Sequence, residues 1–148
     1  MVECAQCLPT GFPNRLLAAD SRARRSQWST ASRAPVHDSL AAGKRTPWPS
    51  DKVGRTIADG LRGEAPAGIP FAHLLRYLDG VILVSEAQIQ DAMTVPAVEL
   101  KQVLEPSGAV SLAGLLNHDD ELPAGIRIAV LSGGNVDLAR YKELLRST

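Results

Sequence analysis

Arg127-Ile128-Ala129-Val130-Leu131-Ser132-Gly133-Gly134-Asn135-Val136-Asp137 passes from an apolar run through a Ser-Gly-Gly-Asn turn into a helical pattern. An apolar strand that ends in small residues, with a helix beginning at once, sets a hydroxyl and open backbone N–H groups at the strand's carboxyl end. Ligands of open α/β sheets bind at that position. The turn alone does not specify this, because glycines also close ordinary strand-to-helix loops and Ser132 could equally be a helix N-cap. Two more segments precede it in order, Thr56-Ile57-Ala58-Asp59-Gly60 and Glu105-Pro106-Ser107-Gly108-Ala109-Val110.

Working outward, the chain from about residue 36 reads as α/β. His37 to Ala42 is a short helical piece, followed by a loop through Gly43 and Pro49. Ile69 to Leu78 has Phe71, Leu74, Leu75 and Leu78 on one face at helical spacing. Gly80-Val81-Ile82-Leu83-Val84 is a continuous apolar run, expected as a buried strand. Ser85 and Gln88 form a capping box for the next helix, which buries Ile89, Ala92 and Met93 and should break at Pro96. Pro106 suits the first turn of a further helix carrying Val110, Leu112, Ala113, Leu115 and Leu116 inward. Ile126 to Leu131 is expected as a second strand, and Val136 to Leu145 as a final helix with Leu138, Tyr141, Leu144 and Leu145 as its apolar stripe. Alternating strands and helices imply a parallel sheet. With two strands only, the sheet is partial, and part of an α/β domain is expected to be missing.

Composition narrows the function classes. Sixteen Lys and Arg balance sixteen Asp and Glu, so no net charge favours nucleic acid or anionic lipid. Aromatic residues make up 4% of the chain, leaving little surface for base stacking. No apolar run approaches the length of a membrane span, and the expected compartment is the cytoplasm. Cys4-Ala5-Gln6-Cys7 has the spacing of half a zinc site but no second ligand pair, and His37, His73 and His118 are scattered singly. No metal site is expected.

Residues 1 to 35 differ from the rest. Arg15, Arg22, Arg24, Arg25 and Arg33 and several serines face few acidic partners, and no apolar period is sustained. This segment is expected to be disordered and residues 36–148 to form the domain. A transit peptide is one alternative, but Pro9, Gly11 and Pro13 interrupt the amphipathic helix it would need, and coding from outside the ancestral reading frame, unrelated to the family of the rest, is another.

From about Asp38 to Leu145 the chain resembles the C-terminal part of threonine and serine dehydratases and serine racemases, pyridoxal-phosphate enzymes of fold type II. The motifs that carry the resemblance are Ser39-Leu40-Ala41-Ala42-Gly43-Lys44, Thr56-Ile57-Ala58-Asp59-Gly60, Val84-Ser85-Glu86, Glu105-Pro106-Ser107-Gly108-Ala109 and Leu131-Ser132-Gly133-Gly134-Asn135-Val136-Asp137. Each is weak alone; their order makes them specific. The fold implied is the C-terminal portion of the family's large domain. The resemblance implies that Ser132 hydrogen-bonds the pyridine nitrogen of pyridoxal phosphate and that Glu105 lies beside the ring. It implies also that the Gly60 backbone approaches the cofactor, and that Gly133, Gly134 and Asn135 shape the loop beneath it. A neutral hydroxyl holds the ring nitrogen less firmly protonated than a carboxylate would, making a milder electron sink that suits β-elimination. The implied activity is a lyase reaction on L-threonine or L-serine giving a 2-oxo acid and ammonia, with racemisation as the nearest variant. Asp59 is expected to fix its turn rather than to touch substrate.

The departures matter as much. The family carries its cofactor-bearing lysine in a Ser-x-Lys context on an earlier helix. Lys44, Lys52, Lys101 and Lys142 are the lysines here, and none has that context. A glycine-rich phosphate cup and the family's acidic cation site are also unmatched upstream of Ser39, and Pro96 falls where relatives carry an uninterrupted helix. The expectation is therefore an incomplete chain, inactive alone and binding the cofactor weakly or not at all. It would be an inert remnant or a module that pairs with a separately encoded N-terminal half. A homo-oligomer is left open. The chain stops soon after its last helix, so no C-terminal regulatory domain is expected.

Overall fold

The computed structural model describes residues 26–30, 35–49, 55–122 and 124–146. Two strands pair in parallel, β1 (Ser26–Thr30) and β2 (Gly80–Val84), in the register Ser26 to Gly80 through Thr30 to Val84. Five α-helices accompany them among the described residues: α1 (Pro35–Ala41), α2 (Gly68–Tyr77), α3 (Glu86–Val95), α4 (Pro106–Asn117) and α5 (Leu138–Arg146). The long segment between β1 and β2, which includes α1 and α2, makes the crossover a parallel pair requires.

β1 lies inside the segment expected to be disordered. Its sequence, Ser-Gln-Trp-Ser-Thr, includes strand-favouring Trp and Thr, and it has β2 as a partner. The rest of residues 1–35 apart from Pro35, and with it Cys4 and Cys7, falls outside the described residues.

The core lies where α3, α4 and α5 meet. Ile89, Ala92 and Met93 of α3 pack with Ala109, Val110 and Ala113 of α4 and with Tyr141 and Leu144 of α5. Val84, at the carboxyl end of β2, joins them, as do Ala58 and Leu61 of the 56–61 turn. Helix α3 starts as its sequence requires. The Ser85 hydroxyl accepts from the Gln88 N–H at 3.2 Å, and the Gln88 side-chain carbonyl oxygen accepts from the Ser85 N–H at 2.7 Å. It stops at Pro96, where the backbone widens into a single π-helical turn (Pro96–Leu100). Lys101 closes that turn in the left-handed conformation, φ 56°.

Several expectations need correction. Ile126–Leu131 is not a paired strand; only Ala129 makes an isolated bridge. Its alternate side chains face outward, with Ile126 96% exposed and Ile128 and Val130 also exposed, so no neighbour among the described residues covers the apolar face that would fix a register. β2 is half-buried over most of its length, and only Val84 is fully enclosed. Leu75 and Leu116 lie on exposed faces, the apolar stripes of α2 and α4 being narrower than their sequences suggest. The last helix starts at Leu138, not Val136. The Asp137 carboxylate accepts from the N–H groups of Ala139 (2.9 Å) and Arg140 (3.1 Å), which makes Asp137 the cap and leaves Leu138 63% exposed.

Candidate functional site

The N-terminus of α4 is where the segments singled out in the sequence meet. Glu105 occupies its N-cap position with extended backbone, and Pro106 follows at the first helical position, where a missing N–H costs nothing. A cap residue ordinarily turns its side chain back onto its own helix, but Glu105 makes no such bond. Its carboxylate reaches the 133–135 loop instead and accepts from the Asn135 N–H. The Glu105 N–H donates to the Gly133 carbonyl at 3.1 Å, so side chain and backbone both tie the helix start to that loop.

Glycines make this approach feasible. Gly133 has φ +86°, a left-handed conformation, and a Cβ there would run into the Glu105 carboxylate. Gly108, in the first turn of α4, lies so close to the Ser132 carbonyl that any side chain would collide with it. Glu105, Ser132, Gly133, Gly134 and Asn135 therefore belong to one cluster.

Gly60 joins the cluster from the other side. Its N–H donates to the Ser107 hydroxyl at 2.9 Å and to the Asp59 carboxylate at 2.8 Å, and the Ser107 hydroxyl donates to Asp59 at 3.3 Å. The same turn is held from α3. The Glu86 carboxylate accepts from the Thr56 hydroxyl (3.1 Å) and from the Ile57 N–H (2.9 Å). Thr56, 1% exposed, in turn accepts from the Ala58 N–H. The first residues of two helices thus grip the 56–60 turn.

Electrostatics follow from this crowding. The Glu105 carboxyl is pushed above its ordinary value, first by burial and then by the neighbouring Asp59 carboxylate, with the Asn135 N–H opposing. Ser132 is half-buried, and its hydroxyl takes no part in the hydrogen bonds among the described residues. The helix-cap reading of Ser132 does not hold, because Asp137 performs that task.

Other features lie elsewhere. A cavity of about 350 Å³ between α1, α2 and β2 is lined by residues including His37, Leu74, Leu78 and Val81, and by none of the cluster. Lys44, Lys101 and Lys142 are exposed, and Lys52 falls outside the described residues. No group of three or more metal-ligating side chains occurs among the described residues. None of their helices is long and apolar enough to cross a membrane.

The sequence assigned no role to Glu86 or Ser107, although both stand in the quoted motifs. Glu86 could have been suspected as a carboxylate immediately after a cap serine at a strand's carboxyl end. Ser107 carried no comparable signal, because its partners lie 47 and 48 positions upstream.

A parallel strand pair packed with helices defines an α/β protein, and its glycine-lined loop held against a helix N-terminus is the candidate site. The chain belongs to the family of pyridoxal-phosphate-dependent enzymes, whose model matches residues 10–134. That match begins well upstream of residue 36, where the sequence motifs run out. An L-threonine ammonia-lyase of Geobacter sulfurreducens is 37% identical over 109 residues, covering 74% of this chain and 26% of the relative. A serine racemase of Dictyostelium discoideum is 37% identical over 92 residues, covering 61% of this chain and 28% of the relative. Among solved structures, maize serine racemase superposes with a TM-score of 0.72 at 30% identity, over 88% of this chain and 40% of that one. The fold is that of part of a fold type II enzyme's large domain, and the chain spans about a quarter of the length of the curated relatives it matches.

Proposed function

We propose that this chain supplies the pyridine-facing side of a pyridoxal-phosphate site that dehydrates L-threonine or L-serine to a 2-oxo acid and ammonia. The observation that carries the reading is the convergence of Ser132, Glu105 and Gly60 on the N-terminus of α4, with glycines wherever a side chain would close the approach. Pyridoxal phosphate, when bound, supplies the electron sink that makes the substrate's α-proton removable. The residues present fit its ring edge. Ser132 has a hydroxyl to offer the ring nitrogen, and a neutral donor there suits elimination. Glu105, its carboxyl pushed above its ordinary value by burial and by Asp59, would flank the ring. The Gly133 carbonyl and the Asn135 N–H hold Glu105 in place, Gly134 in the same loop lies against the Val103 backbone, and the 56–60 turn joins the helix start through Ser107.

In this reading the anchoring lysine amine and the phosphate-binding backbone come from elsewhere, because none of the chain's lysines stands in the family's lysine context. The chain alone then does not turn over threonine or serine. A second reading, pairing with a polypeptide that carries the N-terminal half, is favoured by the uncovered apolar residues Ile126, Ile128 and Val130 beside the site loop. Racemisation of serine by the completed site is the nearest variant, and the setting proposed is cytoplasmic.

Absorbance titration with pyridoxal phosphate, alongside an assay of 2-oxobutyrate from threonine, tests the reading. Weak binding that Ser132→Ala lowers further, without turnover, is expected. Binding indifferent to both Ser132→Ala and Glu105→Ala would remove the site, and turnover by the chain alone would overturn the claim of an incomplete centre.

A further inference from the structure

Ser107 is 3% exposed and sits in the first turn of α4, and among the described residues its hydroxyl bonds only across a long sequence interval. Its oxygen accepts from the Gly60 N–H at 2.9 Å and its proton goes to the Asp59 carboxylate at 3.3 Å. A Cβ on Gly60 would stand 2.9 Å from that same oxygen, so the turn's backbone rests directly on the hydroxyl. No apolar side chain could replace this contact, since it would leave the Gly60 N–H with Asp59 alone, the carboxylate of its own neighbour.

We infer that Ser107 is a positioning residue whose hydroxyl latches the 56–60 turn onto α4 and thereby fixes where the Gly60 backbone and the Asp59 carboxylate stand relative to Glu105. One hydroxyl satisfies a donor and an acceptor on the same turn, so the turn is held against rotation as well as separation. Glu86 holds the turn's other end, at Thr56 and Ile57. With both ends tied, the spacing between the turn and the Glu105 loop is set by two rigid helix starts rather than by the turn itself. The relevance of the latch to a bound cofactor rests on the function proposed above; the latch does not.

The test is amide hydrogen exchange by NMR on the full chain, without cofactor. Although Gly60 is exposed, its wild-type amide is expected to be protected; an unprotected amide would overturn the latch with no variant needed. In Ser107→Ala, exchange at Gly60 is expected to accelerate about fivefold or more relative to core Ile89, as loss of about one net hydrogen bond implies. Ser107→Thr, which keeps the hydroxyl, should restore protection, and Asp59→Ala should retain most of it. Protection lost in Asp59→Ala but kept in Ser107→Ala would assign the hold to Asp59 and contradict the inference. Adding pyridoxal phosphate afterwards separates the claims: a latched Gly60 with no cofactor response would defeat the proposed function and leave the latch standing.

Discussion

The N-terminus of α4 and the 126–130 stretch are both sequences rich in small and apolar residues, yet they are built on opposite terms, the first buried and the second largely exposed. At α4 the local contacts close on themselves. Glu105 is bonded to the 133–135 loop, Ser107 to the 56–60 turn, and Gly108 lies against Ser132. Along 126–130 the chain is tethered at few points. The Val130 carbonyl accepts from the Ser111 hydroxyl at 2.6 Å and Arg127 pairs with Asp119, while the Ile126 and Ile128 side chains face outward. The first region holds its geometry by contacts within the described residues. The second has the composition of a covered strand and lacks the cover among the described residues, which is why a full strand pattern produces only an isolated bridge.

The largest expected effect is at Gly108. Gly108→Val places a branched side chain against the Ser132 carbonyl, and a loss of about 3 kcal/mol or more is expected by urea denaturation. A loss under about 1 kcal/mol would mean the helix and the loop are not in the contact described. Gly133→Ala should cost less, about 2 kcal/mol, from the left-handed backbone and the collision with Glu105. Part of that cost should vanish in a Glu105→Ala background, and a double-mutant cycle with strict additivity would break the proposed contact.

The pH dependence of stability sharpens the same side of the comparison. Glu105 binds its proton more tightly in the folded chain than its ordinary value of 4.5 implies. Between its unfolded and folded pKa values the native state therefore holds more protons than the unfolded state, and stability falls as pH rises through that interval. Relative to Glu105→Gln, the wild-type chain is expected to lose stability over this window and to run parallel outside it. The opposite slope would show that the Asn135 N–H outweighs burial and Asp59. The smallest effect belongs to the second region. Ile126→Lys should alter stability by less than about 0.5 kcal/mol while reducing self-association in sedimentation. A large destabilisation would mean that Ile126 is covered after all.

Much of this was legible in the sequence where the signal is local. The Ser85–Gln88 capping box, the break at Pro96 and the start of α4 at Pro106 each follow from a residue's own backbone chemistry. The buried face of α3 follows from its spacing. The strand expected at Ile126–Leu131 could not be judged that way, because an apolar run reports what a segment could pair with, not whether a partner is there. The first residue of α5 was displaced because two residues of cap type, Ser132 and Asp137, lie within one short stretch and only Asp137 caps the helix. At the site, the motifs brought Ser132, Glu105 and Gly60 to attention by resemblance. Their mutual contacts, and the roles of Glu86 and Ser107, depend on pairings many residues apart that no local pattern encodes.

The most direct measurement is a two-dimensional NMR footprint of pyridoxal phosphate on the isotope-labelled chain. Shifts concentrated at Gly60, Glu105, Ser132, Gly133, Gly134 and Asn135 are expected, and Ser132→Ala should weaken them together. Shifts confined to the cavity between α1, α2 and β2, or none at saturating cofactor, would contradict the assignment of the α4 N-terminus as the cofactor's side of the site.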